Sequence, residues 1–253
     1  MNTSSSSLPV SASQGQGGML ANGSRFDMYG AIHKALRHFM ADTLYRVGRM
    51  DLDDRIDRED TLNQLDALLL QLRSHLNHEN DFIHPAIEAR RPGGARHTAD
   101  DHLQHLEAIA NLEDSSHALR QTGTTPSPAN APRARRLYQQ LALFFGQNLE
   151  HMQIEEQDNQ ALLWALYTDE ELQAVQDRLL AAIGPAEMAL TVRWMSVSLN
   201  PQELAGLFGA MRAKAPPQAF NALYEIAQSH LDLLRAAKLS HALGLPAVPG
   251  LVN

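Results

Sequence analysis

His75 and Glu79 stand four residues apart in "SHLNHENDFIHPAIEARRPGG" (74–94), and His151 and Glu155 repeat that spacing in "EHMQIEEQDNQALLW" (150–164). On a helix such a pair projects from one face, about 6 Å apart along the axis. An imidazole and a carboxylate presented together suit a divalent cation that prefers nitrogen and oxygen ligands, such as iron, manganese or zinc. The same spacing also describes an ordinary surface pair, so its meaning depends on where the two residues sit relative to the apolar residues around them.

Those residues repeat at helical intervals from position 25 onward, and strand signals are nearly absent. A first helix over 26–48 carries the row Tyr29, Leu36, Met40 and Val47, with His33 in the same row. A second is expected to start at Asp60 or Thr61 and to stop at "RRPGG", with the row Leu65, Leu68, Leu69, Leu72, His75, Glu79, Phe82 and Ile83. A third begins near His97 with Thr98 as its cap, and its row is Leu103, Leu106, Ile109 and Leu112. The turn-rich loop "QTGTTPSPANAPR" separates it from a fourth helix over 133–167, with the row Leu137, Leu141, Phe144, Asn148, His151, Glu155 and Leu162. Four long helices with such connections imply an all-α, up-down four-helix bundle.

Each of these helices offers at least one ligand type on its core side. His33 comes from the first, His75 and Glu79 from the second, His102 from the third, and His151 and Glu155 from the fourth. On the third helix His102 competes with His97 and His105; the Leu103–Leu106–Ile109 row leaves His105 to one side and favours His102. A buried carboxylate or imidazole without a partner costs several kcal/mol, and a pair of divalent cations would neutralise and ligate these groups. His38, His78, His84, His117 and Glu156 are read as surface or flanking groups, with His78 near the mouth of the site. Asp101 is read as a helix-start charge, Tyr29 as a packing residue beside His33, and Trp164 and Trp194 as packing anchors.

These stretches, together with "IHKALR" (32–37) and "DDHLQHL" (100–106), resemble the hemerythrin-like, or HHE cation-binding, family over residues 25–168. The resemblance implies a four-helix bundle holding two non-haem iron ions, with zinc or manganese as substitutes. Its ligands would be His33, His75, Glu79, His102, His151 and Glu155, the six that row position selects. Oxygen-carrying hemerythrins have a histidine where this chain has Thr98, and an aspartate where it has Glu156. The site is therefore poorer in histidine than an oxygen carrier's. The resemblance then implies sensing or reversible binding of dioxygen, a related diatomic gas or iron. Oxidoreductase chemistry on peroxide, nitric oxide or ferrous iron is the enzymatic alternative, and a metal-free helical interaction protein the third.

The remaining composition narrows the classes. Among 253 residues there are 12 histidines and no cysteine, and the formal net charge is −8. Disulfides, thiolate sites and cysteine nucleophiles are excluded. No basic run exceeds "RARR" (133–136), which argues against nucleic acid as a partner. No apolar run is long enough for a membrane span. The Ser/Gly-rich residues 1–24 read as a flexible tail without a secretory pattern, and a cytoplasmic location is expected. Residues 169–253 form a C-terminal helical extension of about four helices, opened by a Thr168–Glu171 capping box and ending in a helix over 221–243. This extension keeps only His230 and His241, and it is expected to pack on the bundle or to offer a surface for a second copy or another protein.

Overall fold

The computed structural model describes residues 25–121 and 130–246. The tail expected over 1–24 and residues 122–129 of the turn-rich loop lie outside them. No strand occurs among the described residues, as an all-α reading requires. Four long helices form the ring of the bundle: α1 (Gly30–Arg49), α2 (Arg55–His78), α4 (Arg96–Arg120) and α5 (Asn130–Ile154). Each packs on two others, in the order α1–α2–α4–α5 and back to α1.

Two of these helices do not stop where their α-helical pattern ends. α2 runs through a π turn, Glu79–Ile83, into α3 (His84–Arg90), and α5 runs through a second π turn, Glu155–Asn159, into α6 (Gln160–Leu166). In the first case the sequence supplies a cause. Pro85 has no N–H and its ring would press on the carbonyl four residues back, so the helix widens just before it. The backbone N–H of His84 then bonds to the Glu79 carbonyl, five residues earlier. Both π turns open on a glutamate of the candidate site, in keeping with the tendency of such bulges to mark functional positions.

The helix ends show where sequence signals were displaced. α2 starts at Arg55 rather than near Asp60, because the Asp54 carboxylate accepts from the backbone N–H of Ile56 at 2.8 Å and of Asp57 at 3.3 Å. α1 starts at Gly30 rather than Phe26, since the Asp27 side chain first closes a turn by accepting from the N–H of Tyr29 and Gly30. The link after α3 turns at Gly93, whose φ of 79° favours glycine. α4 begins at Arg96, which makes Thr98 an interior residue rather than a cap.

Among its described residues the extension contains five helices: α7 (Asp169–Ala182), α8 (Pro185–Ser198), α9 (Pro201–Lys214), α10 (Pro217–His230) and α11 (Leu233–Ala242). The expected capping box at Thr168 and Glu171 is present. The single last helix anticipated over 221–243 is divided, because Asp232 caps a new helix by accepting from the Arg235 N–H at 2.8 Å. α8 lies against α1, where Trp194 stacks on Phe39 with ring centroids 4.2 Å apart. No described helix is long and apolar enough to cross a membrane.

The core is layered. One apolar cluster includes Leu36, Phe39, Leu69, Leu72, Ile109, Leu141 and Phe144; a second includes Tyr29, Ile83, Ile87 and Leu163. Along α1 and α4 the candidate histidines fall between these two clusters; along α2 and α5, Leu76 and Met152 of the first cluster are interleaved with the candidate ligands, whose glutamates precede the second. Trp194→Ala should lower unfolding stability by about 3 kcal/mol, as expected for truncating a buried aromatic. Urea denaturation followed by circular dichroism measures this, and an unchanged midpoint would mean that Trp194 does not anchor α8.

Candidate metal centre

All six residues singled out in the sequence meet in the layer between the apolar clusters. They form two overlapping groups, His33, His75, Glu79 and Glu155 on one side and Glu79, His102, His151 and Glu155 on the other. Within each group the potential ligand atoms lie within 4.8 Å of one another, and every residue is buried. The two groups share both glutamates and contribute separate histidine pairs.

The glutamates divide their oxygens between the two halves. Glu79 Oε1 lies 3.3 Å from His75 Nε2 and 3.7 Å from His33 Nε2, while its Oε2 lies 3.5 Å from His102 Nε2. Glu155 mirrors this: Oε2 is 3.5 Å from His33 Nε2, and Oε1 is 3.5 Å from His102 Nε2 and 3.3 Å from His151 Nε2. These separations are too long for good hydrogen bonds but leave room for an ion between the atoms. All four carboxylate oxygens and His33 Nε2 are buried without a hydrogen-bond partner. Such atoms are rare in folded proteins, and a cation is the ligand that the donor set fits.

The rings are oriented from behind. His33 Nδ1 donates to Glu156 at 3.0 Å, His102 Nδ1 donates to the Asn80 side-chain oxygen at 2.8 Å, and His151 Nδ1 points at Asp101 Oδ2 at 3.4 Å. An acceptor on Nδ1 places the proton there and leaves the Nε2 lone pair for a metal. His102 Nε2 and His151 Nε2 then face each other at 3.0 Å, an arrangement that two lone pairs disfavour and a cation would relieve.

The electrostatics follow from the same contacts. Burial alone would raise the Glu155 pKa, but the imidazoles of His102, His151 and His33 hold it well below the usual carboxylate range. Burial would lower that of His33, and the carboxylates of Glu156, Glu79 and Glu155 reverse this and raise it to about 9. Desolvation dominates at His75, which falls to about 4. Burial also works against the charge on Glu156, yet its bonds with His33 and Arg37 bring its pKa down to about 2.

Several neighbours were placed differently by the sequence. His84, read as a surface residue, is buried, stacks on His102 at 4.7 Å and meets Thr98 Oγ1 at 3.2 Å. The π turn is the reason, since it rotates everything beyond Glu79 out of the period used to place His84. His105, read as lying to the side of the row, is buried with its ring 4.8 Å from His151, and its Nδ1 has no hydrogen-bond partner. Asp101 and Glu156 are not free surface charges but acceptors behind His151 and His33. Five-residue spacing from His151 to Glu156 was the available signal for the latter. His38 is exposed, as expected, though its Nδ1 lies 3.0 Å from Ser198 Oγ.

His105 gives a pH dependence. Burial, followed by the charges of His151 and His102, depresses its pKa from 6.5 to about 4. A histidine lowered in this way favours the folded state when neutral. Its contribution is present above 6.5 and is lost as pH falls towards 4, at up to about 1.4 kcal/mol per pH unit. Metal-free protein should therefore lose thermal stability more steeply over that window than its His105→Leu variant; parallel profiles would contradict the assignment.

Residues 26–163 match the family model described as the hemerythrin HHE cation binding domain. No curated protein and no solved structure matches the chain.

Proposed function

Since the chain belongs to the hemerythrin HHE cation-binding family, we propose that its bundle holds two non-haem iron ions and serves to sense or reversibly bind dioxygen or a related diatomic molecule. The observation that carries this reading is the division of Glu79 and Glu155 oxygens between two histidine pairs, with no other partner for any of the four oxygens. His33 and His75 would hold one ion, His102 and His151 the other, and the glutamates would span both. Nitrogen and oxygen ligands without sulfur suit iron, and zinc or manganese could replace it. When bound, the ions supply a redox couple and coordination positions for a small ligand.

The protein's own part is to hold, shield and orient. Glu156, Asn80 and Asp101 fix three of the imidazoles through Nδ1. Leu72, Ile109 and Phe144 on one side, with Tyr29 and Ile83 on the other, belong to the apolar clusters that bound the polar layer. Tyr29 keeps its phenolic proton: burial raises its pKa well above 10, and the charges of Glu155 and Glu79 add to the effect. A donor is thereby held beside the two carboxylates, with the Asn159 amide 3.5 Å from the Tyr29 oxygen.

One feature favours a second reading. Thr98 occupies the position one turn before His102 and is tied to His84 and Asn159, so no histidine is offered there. The resulting set of four imidazoles and two carboxylates, without a further histidine at this position, is compatible with an oxidoreductase acting on peroxide, nitric oxide or ferrous iron, which steady turnover of one of these would identify.

Anaerobic reconstitution with ferrous iron, followed by elemental analysis, should give about two ions per chain and an optical spectrum that changes on exposure to air. Glu79→Ala and His75→Ala should each bind less iron. At a free metal concentration a hundredfold above the dissociation constant, the parent should gain about 2.7 kcal/mol of stability. A chain that binds no metal and gains no stability would overturn the proposal in favour of a helical interaction protein.

A further inference from the structure

The two halves of the centre are covered unequally. The side chains of His33, His102 and His151 expose 0%, 1% and 4% of their surface, whereas His75 exposes 10%. The edge of His75 is therefore where the set of candidate ligands comes nearest to water. That edge is bordered by the C-terminal helices. Glu187, in the first turn of α8, accepts a hydrogen bond from Ser74 at 2.6 Å through Oε1, and the same oxygen lies 3.5 Å from His78 Nδ1. Ser74 and His78 stand immediately before and one turn after His75, so Glu187 contacts α2 on both sides of that ligand in the sequence. One turn earlier, the Gln71 amide donates to Thr191 at 3.0 Å and keeps α8 in register with α2.

The groups at this edge are neither sealed nor fully solvated: His78 exposes 15% and Glu187 24% of the side chain. A carboxylate oxygen and an imidazole nitrogen in a partly desolvated setting attract a divalent cation more strongly than the same groups in open water. Two ligands hold it only weakly, so transfer inward to the six-residue set is downhill. Around His151 the arrangement differs, because Asp101 is engaged in orienting that ring and its other imidazole neighbour, His97, is 3.9 Å away with 71% of its side chain exposed.

We propose that Glu187 and His78 form the loading mouth of the centre, a transient site through which a divalent cation reaches His75. The proposal rests on the metal-binding reading above, and it gives the extension a chemical role: α8 supplies the acidic half of the mouth. Ser74 holds the Glu187 carboxylate in place, and the bond would survive in a Glu187→Gln variant, which removes only the charge.

The test is the rate of zinc uptake by the metal-free full-length chain, followed in a stopped-flow instrument by the loss of zinc from a chromophoric indicator. Glu187→Gln should slow uptake about tenfold, and His78→Gln should slow it in the same direction. Both variants should reach the parent's final metal content. Glu203→Gln removes only the charge that α9 sets against Lys34, the neighbour of His33 in the chain, and should load at the parent's rate. Parental rates in both mouth variants, or equal slowing in Glu203→Gln, would overturn the mouth while leaving the metal centre standing. A parent chain that takes up no zinc or iron would overturn both.

Discussion

Two carboxylates confined among four imidazoles, in a layer with apolar packing on either side, set the terms for the rest of this structure. Glu79 and Glu155 are 1% and 0% exposed, and none of their side-chain oxygens has a hydrogen-bond partner. Charge buried in this way is costly unless opposite charge lies close to it. In the metal-free centre protons on the imidazoles supply part of that charge, which is why the His33 and His151 pKa values rise despite burial. A pair of divalent cations would supply it more completely and would satisfy the orphaned oxygens as well. The layered core then has a purpose: apolar clusters above and below keep water out of the polar layer and hold four helices in the register that brings the histidines together.

Much of this was legible because both the fold and the candidate site depend on the same periodicity. Rows with period 3.6 identified the four ring helices and carried His33, His75 and His151 to the core side, whereas the row of α4 was misread: Leu103 is 68% exposed, and the buried face runs through Thr98, His102, His105 and Ile109. Where the helix departs from that period, sequence reading went astray. The π turn at Glu79–Ile83 turned His84 inward, and the one at Glu155–Asn159 put both Asn159 and Gln160 in the interior. Helix starts failed for a different reason: short acidic segments offer several equivalent caps, and the contacts of Asp54 and Asp27 with particular backbone amides decide among them. Orienting groups such as Asp101 and Asn80 were hard to foresee, since a polar residue behind a ligand carries no periodic signature.

The C-terminal helices add an asymmetry to a nearly two-fold arrangement. α8 and α9 touch the helices that bear His33 and His75, through Trp194 on Phe39, Thr191 with Gln71, and Glu203 with Lys34. The half formed by His102 and His151 is lined instead by α4 and α5, with Asn80 of the π turn and His84 of α3 against His102. Two chemically similar pockets thus sit in mechanically different surroundings, one braced by the extension and one by the bundle alone.

The most direct measurement of the central claim is a crystal structure of the iron-loaded chain with anomalous scattering recorded on both sides of the iron absorption edge. The account predicts two iron peaks inside the bundle, one beside His33 and His75 and one beside His102 and His151, with Glu79 and Glu155 lying between them. A single peak, peaks outside this layer, or a centre with no iron and with solvent-filled carboxylates would contradict it.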